Sequence, residues 1–424
     1  MRESFNIKDK SFAVYGLGIT GKSVVKFLKK NKAAKISMWD DFLTQSNLTQ
    51  MNKFKTNLNI FDYIVLSPGI NIKNSKFKKT LLKNKKKIIT DLDLFYLKNK
   101  VEKSIVITGT NGKSTTCSLI HHIFKKNKIR NKLVGNIGKP VLSVKFIKKE
   151  IYIIEASSFQ LEYSQFIKPY CAVILNISQD HLDWHGSKKN YTNSKIKIFN
   201  NQTKTDIALI NDKNLKRKYK NNNFSGKLRF IKKNPIKLKD TNNKYLRLEA
   251  NRDNVNFAYF ISKFFDIDRK KFLKSLKTFN GLTHRHEIFY KVGNYTFIND
   301  SKATTFESTK QALESNDNII WIVGGKPKKN DKISINRFKK KIIKAYVIGN
   351  YTNFFTNQIN KKINIEITRN LQITVRKIFQ SLEKKKRVTV LFSPASASYD
   401  QFNNFVERGE MFKNLVKYNA KKFN

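Results

Sequence analysis

Apolar residues fall along this chain in short runs of four or five, and the runs mostly end in glycine, serine, asparagine or an acid. Such runs read as buried strands, and the stretches between them repeat apolar residues at helical spacing. Runs at 12–15, 35–39, 63–66 and 87–90 predict four strands, with Val24, Val25, Phe27 and Leu28 marking a helix. Runs at 105–107, 152–155 and 172–176 predict a second group, with Leu119, Ile120, Ile123 and Phe124 on a helix. A third group follows at 295–298, 319–323, 345–348, 363–367 and 388–392, interleaved with a helix carrying Leu371, Val375, Ile378, Phe379 and Leu382. Strands alternating with helices predict an α/β fold with parallel sheets and ligands at the carboxyl ends of the strands. Three domains are expected, at 1–92, 93–283 and 284–424. The Lys/Asn-rich segment 213–244 is weakly patterned and reads as loops with short antiparallel strands.

A chain of 424 residues has room for two to four domains. No apolar run approaches a membrane span, and residues 1–10 are charged and polar, unlike a signal peptide. Cys117 and Cys171 make no disulfide framework and read as buried thiols. A cytoplasmic protein without membrane insertion is expected. The net charge of +54 would ordinarily point to nucleic acid. It comes, however, from 72 Lys against 13 Arg spread along the whole chain. Arginine is what bidentate phosphate and base recognition prefers, so a solvated basic surface is the expectation and nucleic acid is not.

Candidate chemistry gathers at strand ends. Residues 104–119 read as strand, Gly109-Thr-Asn-Gly112 loop, Lys113-Ser114-Thr115 and helix. Backbone N–H groups and the helix start would cradle phosphate, with Lys113 as a point charge and Ser114 within reach of Mg²⁺. Ile107 stands where the strict phosphate-loop motif has its first glycine, so this is a tighter variant of an ATP site. Glu155 ends a strand where a Mg²⁺ ligand belongs, or it is a capping or surface acid. His181 is either a metal ligand or a structural histidine. Gly16-x-Gly18-x-x-Gly21, with Asp40 about twenty residues on, fits a diphosphate on a helix N-terminus and does not separate NAD from a UDP-sugar. Turns at 299–302, 324–326, 349–350 and 393–398 give the third group a small, polar edge suited to a small ligand. Lys302 and Lys328 are candidates to pair with a substrate carboxylate there.

With these motifs in order, the chain resembles the Mur ligases, ATP-dependent amide-forming enzymes of peptidoglycan precursor synthesis, and among them the D-glutamate-adding branch. Gly16–Gly21 and Ser67-Pro-Gly69 match the nucleotide-sugar domain. Gly109–Thr115, Gly135-Asn-Ile-Gly138, Glu155-Ala-Ser-Ser-Phe-Gln160 and Asp180-His-Leu-Asp183 match the central ATPase. The run 279–287, Asn299-Asp-Ser-Lys-Ala-Thr304 and the stretch from Ser393 to Phe402, with Phe405 and Arg408-Gly409, match the last part. The chain departs from the family pattern at Ala250-Asn251, Trp184, Ser396 and Lys326-Pro-Lys328. The resemblance implies a Rossmann-like nucleotide-sugar domain, a P-loop-type ATPase domain and a C-terminal Rossmann-like domain.

It also implies a reaction. ATP activates UDP-MurNAc-L-alanine as an acyl phosphate, which D-glutamate then opens, with two Mg²⁺ ions as cofactors and a monomer as the acting form. Lys113, Glu155, His181 and Lys195 are implied as catalytic. Ser114, Glu155, His181 and Lys195, the last as a carbamate, are implied as metal ligands. ATP would meet Gly109, Thr110, Asn111, Gly112, Lys113, Ser114, Thr115, Asn251, Arg285 and Asp300. The UDP-substrate would meet Gly18, Ile19, Thr20, Asp40, Ser67, Gly69, Asn136 and His181. D-glutamate would meet Lys302, Thr304, Lys328, Ser398, Tyr399 and Phe405. The nearest rival is a sister ligase of the same fold, such as another Mur ligase or folylpolyglutamate synthase, but the Asp-Asn-Pro-Arg signature of the diamino-acid-adding sister is absent. A nicotinamide oxidoreductase would leave the ATP loop idle. A nucleic-acid-binding ATPase would need Arg and aromatic residues clustered on one face.

Overall fold

The apolar runs assemble into three sheets. The computed structural model describes residues 5–42, 57–232, 234–328, 331–359, 363–382 and 387–423. In the first sheet β1 (Ser11–Tyr15), β2 (Lys35–Trp39), β3 (Tyr63–Leu66) and β4 (Ile88–Ile89) lie in the order β2-β1-β3-β4, all parallel. The second holds β5 (Ser104–Thr108), β6 (Asn131–Gly135), β7 (Ile151–Glu155), β8 (Cys171–Ile174), β9 (Ile207–Ile210) and β10 (Lys227–Phe230). Its order is β10-β9-β8-β5-β7-β6, again all parallel. The third holds β11 (Glu287–Val292), β12 (Tyr295–Asn299), β13 (Ile319–Gly324), β14 (Ile342–Ile348), β15 (Ile365–Arg369) and β16 (Val388–Phe392). It runs β11-β12-β16-β13-β14-β15, parallel except for the β11–β12 hairpin.

The chain forms two compact units, 1–279 and 280–424. Within the first, one apolar cluster runs from Val14 and Val65 of the first sheet, through Leu92 of the helix Asp91–Lys98, to Val106, Ile154 and Ala172 of the second. The central strands β5, β7 and β8 are buried along their whole length, as parallel strands covered on both faces must be. The order β8-β5-β7 brings three carboxyl ends together, so the turns that follow Thr108, Glu155 and Ile174 are neighbours. In the second unit, β12, β16 and β13 do the same for the turns after Asn299, Phe392 and Gly324. Cys117 and Cys171 are free and buried, and burial pushes both thiols up. Among the described residues no helix is long and apolar enough to cross a membrane.

The segment 213–244 differs from its sequence reading. It forms a helix, Lys213–Asn221, capped by the Asp212 side chain, and then β10, which pairs parallel with β9. The helix buries only Leu215 and Tyr219, one turn apart, so its periodicity rests on two residues. Because it crosses over between β9 and β10, those strands run parallel, and as an edge strand β10 carries the exposed Lys227 and Arg229.

Two buried carboxyls join the exit of the first sheet to the segment after Glu155. Asp93 closes a capping box with Thr90 on the helix Asp91–Lys98 and accepts the backbone N–H groups of Gln165 (2.9 Å) and Phe166 (2.7 Å). Asp91 accepts from Gln160 Nε2 (3.1 Å), and Gln160 completes the capping box of the helix Ser158–Tyr163. Burial raises the Asp91 carboxyl from 3.8 to about 6, with the Gln160 hydrogen bond opposing. A carboxyl raised on folding adds stability that is full below about pH 4 and is lost as pH climbs through about 6. Between pH 4 and 7 the unfolding free energy of the parent should therefore fall by about 3 kcal/mol more than that of Asp91→Asn. Denaturant titrations at the two pH values check this, and parallel pH slopes for the two proteins would refute it.

Candidate active site

The second sheet presents its phosphate loop at the end of β5. Gly112 caps the helix Lys113–Lys126 from the left-handed region, at φ +83°, and a Cβ there would overlap Asn254 Oδ1. Glycine is required on both counts. The loop is fastened to the end of β8. Thr110 N–H donates to Asn176 O (3.0 Å), Asn111 N–H to Asn176 Oδ1 (2.9 Å), and Asn176 Nδ2 returns a bond to Asn111 O (3.1 Å). Ser178 N–H donates to the Thr110 hydroxyl (3.0 Å), which also meets Tyr191 OH at 3.1 Å. Lys113 Nζ lies on the loop's own carbonyls, 2.8 Å from both Gly109 O and Thr110 O. Ser114 and Thr115 are buried in the first turn. Behind the loop, Thr116 Oγ1 donates to Asn254 Oδ1 (3.1 Å) and Asn254 Nδ2 to Asn251 Oδ1 (3.0 Å). Asn251 thus braces Asn254, and Asn254 is the one of the pair that reaches the loop.

Glu155 and Lys195 converge on this loop. Glu155, 2% exposed, ends β7 opposite Ile107 of β5. Its Oε1 accepts from Asn136 Nδ2 (3.0 Å), while its buried Oε2 has no hydrogen-bond partner among the described residues. Lys195, 1% exposed, projects from the helix Lys188–Ile196 and donates to Gly109 O (2.9 Å) and Thr108 Oγ1 (3.3 Å). Its Nζ lies 4.7 Å over the Tyr191 ring. Burial, and then the charge of Lys113, hold the Lys195 ammonium well below the usual lysine range, against the pull of Asp180 and Glu155.

His181 occupies a left-handed position, at φ +51°, with its ring 4.8 Å from Phe159 and 3.5 Å from Asp180 Oδ2. His185, by contrast, is buried against Phe159 and bonded to Ser158 Oγ (3.0 Å). Burial lowers it to about 4, so it is a neutral packing residue at pH 7. Among the described residues no three His, Cys, Asp or Glu side chains gather as a ready metal site. The unsatisfied Glu155 oxygen, the buried Ser114 at the start of the helix and a lysine whose ammonium is disfavoured nevertheless suit a hard divalent cation.

On the first sheet, Gly18 begins the helix Ile19–Lys30 with no side-chain cap, and Ile19 stands 81% exposed at its head beside Thr20. Ser67 Oγ donates to Gly16 O (2.6 Å) and braces this turn. Asp40 accepts from Leu17 N–H (2.6 Å) and Phe42 N–H (2.9 Å), so both its oxygens hold the chain around the turn. Nothing lies within 4 Å of the Cβ direction at Gly69.

The second unit collects the remaining candidates at the ends of β12, β13 and β16. Asp300 accepts from Ser393 Oγ (2.7 Å) and His286 N–H (3.0 Å), and burial raises it to about 6 against the pull of Arg285. Lys302 Nζ lies 5.4 Å over the Phe405 ring, and Thr304 is half-buried. Ser398 is buried, whereas Tyr399 is 71% exposed. Lys326 pairs through its backbone with Ala397 (2.9 and 3.0 Å), and Lys328 is exposed two residues on. Asn254, Asn176 and Arg408 escaped assignment from the sequence. Asn254 and Arg408 each carried a signal, Asn254 one helical turn beyond Asn251 and Arg408 in the matched Arg408-Gly409 pair.

Residues 10–89 match the Mur ligase MurD-like N-terminal domain, and 107–273 match the Mur ligase middle domain. The chain is 33% identical to UDP-N-acetylmuramoylalanine–D-glutamate ligase of Wolbachia pipientis wMel, over 97% of this chain and 98% of the relative. It is 35% identical to the enzyme of the same name from Rickettsia prowazekii (strain Madrid E), over the same shares. Among solved structures it is similar to MurF ligase from Thermotoga maritima in complex with ADP, with TM-score 0.58, 13% identity, and 100% of this chain and 98% of that one covered. UDP-N-acetylmuramate-alanine ligase MurC from Thermotoga maritima gives TM-score 0.58 at 16% identity over 97% and 100%. At such identities these two speak for the fold alone. The chain belongs to the Mur ligase family and groups within it with the UDP-N-acetylmuramoylalanine–D-glutamate ligases.

Proposed function

We propose that the chain is an ATP-dependent ligase joining D-glutamate to UDP-N-acetylmuramoyl-L-alanine in peptidoglycan precursor synthesis. Likeness over nearly the full length to ligases of that name supports the substrates. The observation that carries the chemistry is the buried Glu155 oxygen without a hydrogen-bond partner, beside a lysine whose ammonium is disfavoured, at a phosphate loop. Mg²⁺ held by Ser114, Glu155, His181 and carbamoylated Lys195, two ions in all, would offset the repulsion between triphosphate and substrate carboxylate. Lys113 exchanges the Gly109 and Thr110 carbonyls for the phosphates of ATP. The substrate carboxylate attacks the γ-phosphorus, and the bond to ADP breaks as the new P–O bond forms. The D-glutamate amine then attacks the acyl carbon and loses a proton, and inorganic phosphate leaves.

In this reading a neutral Lys195 amine adds to CO₂ and releases a proton, becoming an anion that no longer repels Lys113. Thr110, Asn111, Thr115, Asn251, Arg285 and Asp300 serve ATP. Gly18, Ile19, Thr20, Ser67, Gly69, Asn136 and His181 serve the nucleotide-sugar, with Asp40 bracing that turn. Lys302, Thr304, Lys328, Ser398, Tyr399 and Phe405 serve D-glutamate. The domains are those at 1–92, 93–283 and 284–424, and the enzyme acts as a cytoplasmic monomer on small soluble substrates.

Phosphate release with Mg-ATP and UDP-MurNAc-L-alanine tests the whole reading. Release is expected with D-glutamate and not with L-glutamate, meso-diaminopimelate, L-alanine or DNA, and release with another amino acid instead would move the enzyme to a sister group. Lys195→Ala should lose about a hundredfold or more in kcat and recover in part with acetate, a small carboxylate replacing the missing anion. Full activity without acetate would rule out the carbamate. Glu155→Gln should lower kcat by about a hundredfold and raise the Mg²⁺ concentration needed for half-maximal rate. An unchanged Mg²⁺ dependence would remove Glu155 from the metal site.

A further inference from the structure

The second unit buries a complete guanidinium. Arg408, in the first turn of the helix Phe405–Phe423, is 1% exposed. Its Nε donates to Ser301 Oγ (3.1 Å), and its Nη2 donates to Ser301 O (2.8 Å) and Ser396 O (2.9 Å). Its buried Nη1 has no hydrogen-bond partner among the described residues. Among the described residues no carboxylate is hydrogen-bonded to the group. Asp400 acts on it only through space, and the Phe392 ring lies 5.9 Å from its central carbon. Burying a cation without a paired carboxylate is costly, and an unmade N–H bond adds to the cost. An arginine kept in this state calls for a reason beyond packing.

Its acceptors supply that reason. Ser301 lies in the turn after β12, between Asp300 and Lys302, and Ser396 lies in the turn after β16, two residues before Ser398. The turn after β13 packs on the same group. Gly325 has φ +130°, and a Cβ there would come within 3.0 Å of Nη1 and 2.5 Å of Ala397 O. One guanidinium is therefore ringed by the ends of three neighbouring strands, β12, β16 and β13. Lysine has a single point of donation and glutamine two N–H groups, so neither reproduces a planar fork that binds two turns at once.

We propose that Arg408 is the positioning residue of the amino-acid pocket. Its fork locks the 299–304 turn to the 393–398 turn, and its charge, left without a carboxylate, biases the pocket toward an acidic amino acid. This rests on the assignment of D-glutamate to these turns. The test is steady-state kinetics of full-length Arg408→Gln and Arg408→Lys, varying D-glutamate, ATP and the nucleotide-sugar in turn. Arg408→Gln should raise the KM for D-glutamate about tenfold or more while that for ATP stays within about twofold. Arg408→Lys, which keeps the charge and loses the fork, should fall between the parent and Arg408→Gln. An unchanged D-glutamate KM in Arg408→Gln, a parallel rise in all three KM values, or a lysine variant as impaired as the glutamine one would each overturn the proposal. Where Arg408→Gln does not accumulate as folded protein, Ser301→Ala removes one acceptor and leaves the charge. A rise of about threefold in the D-glutamate KM alone would then support the clamp, and no rise would overturn it. A parent enzyme that fails to respond to D-glutamate would instead strike the functional assignment, independently of any variant.

Discussion

Two lysine head groups meet at the carbonyl oxygen of Gly109, Lys113 from the start of its own helix and Lys195 from the helix Lys188–Ile196. The shared acceptor holds the two head groups close together, so burial of Lys195 and the charge of Lys113 act together against the charge on Lys195. Much of the site follows from this constraint. The loop cannot relax away from the two lysines, because Thr110 and Asn111 are fastened to Asn176 and Gly112 is backed by Asn254. Glu155 stands close enough to favour the charged lysine, yet keeps one oxygen unbonded.

The second unit treats its buried charges differently. Asp300 is bonded to a serine hydroxyl and a backbone N–H, and Arg408 to a serine hydroxyl and two carbonyls, so among the described residues neither charge is paired with its opposite in a direct bond. Neutral partners hold geometry without cancelling charge, and each group still exerts a field on whatever lies near the strand ends. In both units polar side chains gather at the carboxyl ends of three adjacent central strands, while the interiors of those strands are mostly apolar. That separation lets a rigid parallel sheet carry a charged site at its edge.

Much of the architecture was legible in the chain. Tyr63–Leu66 and Val388–Phe392 run over the same residues in the sequence pattern and in the sheets, because interior parallel strands, buried at all but one position here, read as nearly continuous apolar runs. The fully buried interior strand β9 was not read from the sequence, and edge strands carry a weaker apolar signature. β6, with one fully buried residue, and β10, with none, escaped the pattern, as did the helix Lys213–Asn221. Within the site, Gly112 and Lys113 carried a motif, whereas the side chains that hold them in place did not. Asn176 is one asparagine in an asparagine-rich chain until the fold brings it to the loop, and Asn254 showed only its spacing from Asn251.

The sequence by itself determined the α/β class, the phosphate loop and the family, since all three are written in local spacing: apolar run, glycine turn, lysine and helix within a few residues. Only the tertiary structure decided the electrical state of the site. The suppressed ammonium of Lys195, the unbonded oxygen of Glu155 and the unpaired guanidinium of Arg408 depend on burial and on partners far away in the chain. Desolvation and through-space charge fall off with distance in three dimensions, not along the chain, so no count of lysines or spacing of motifs could have reported them.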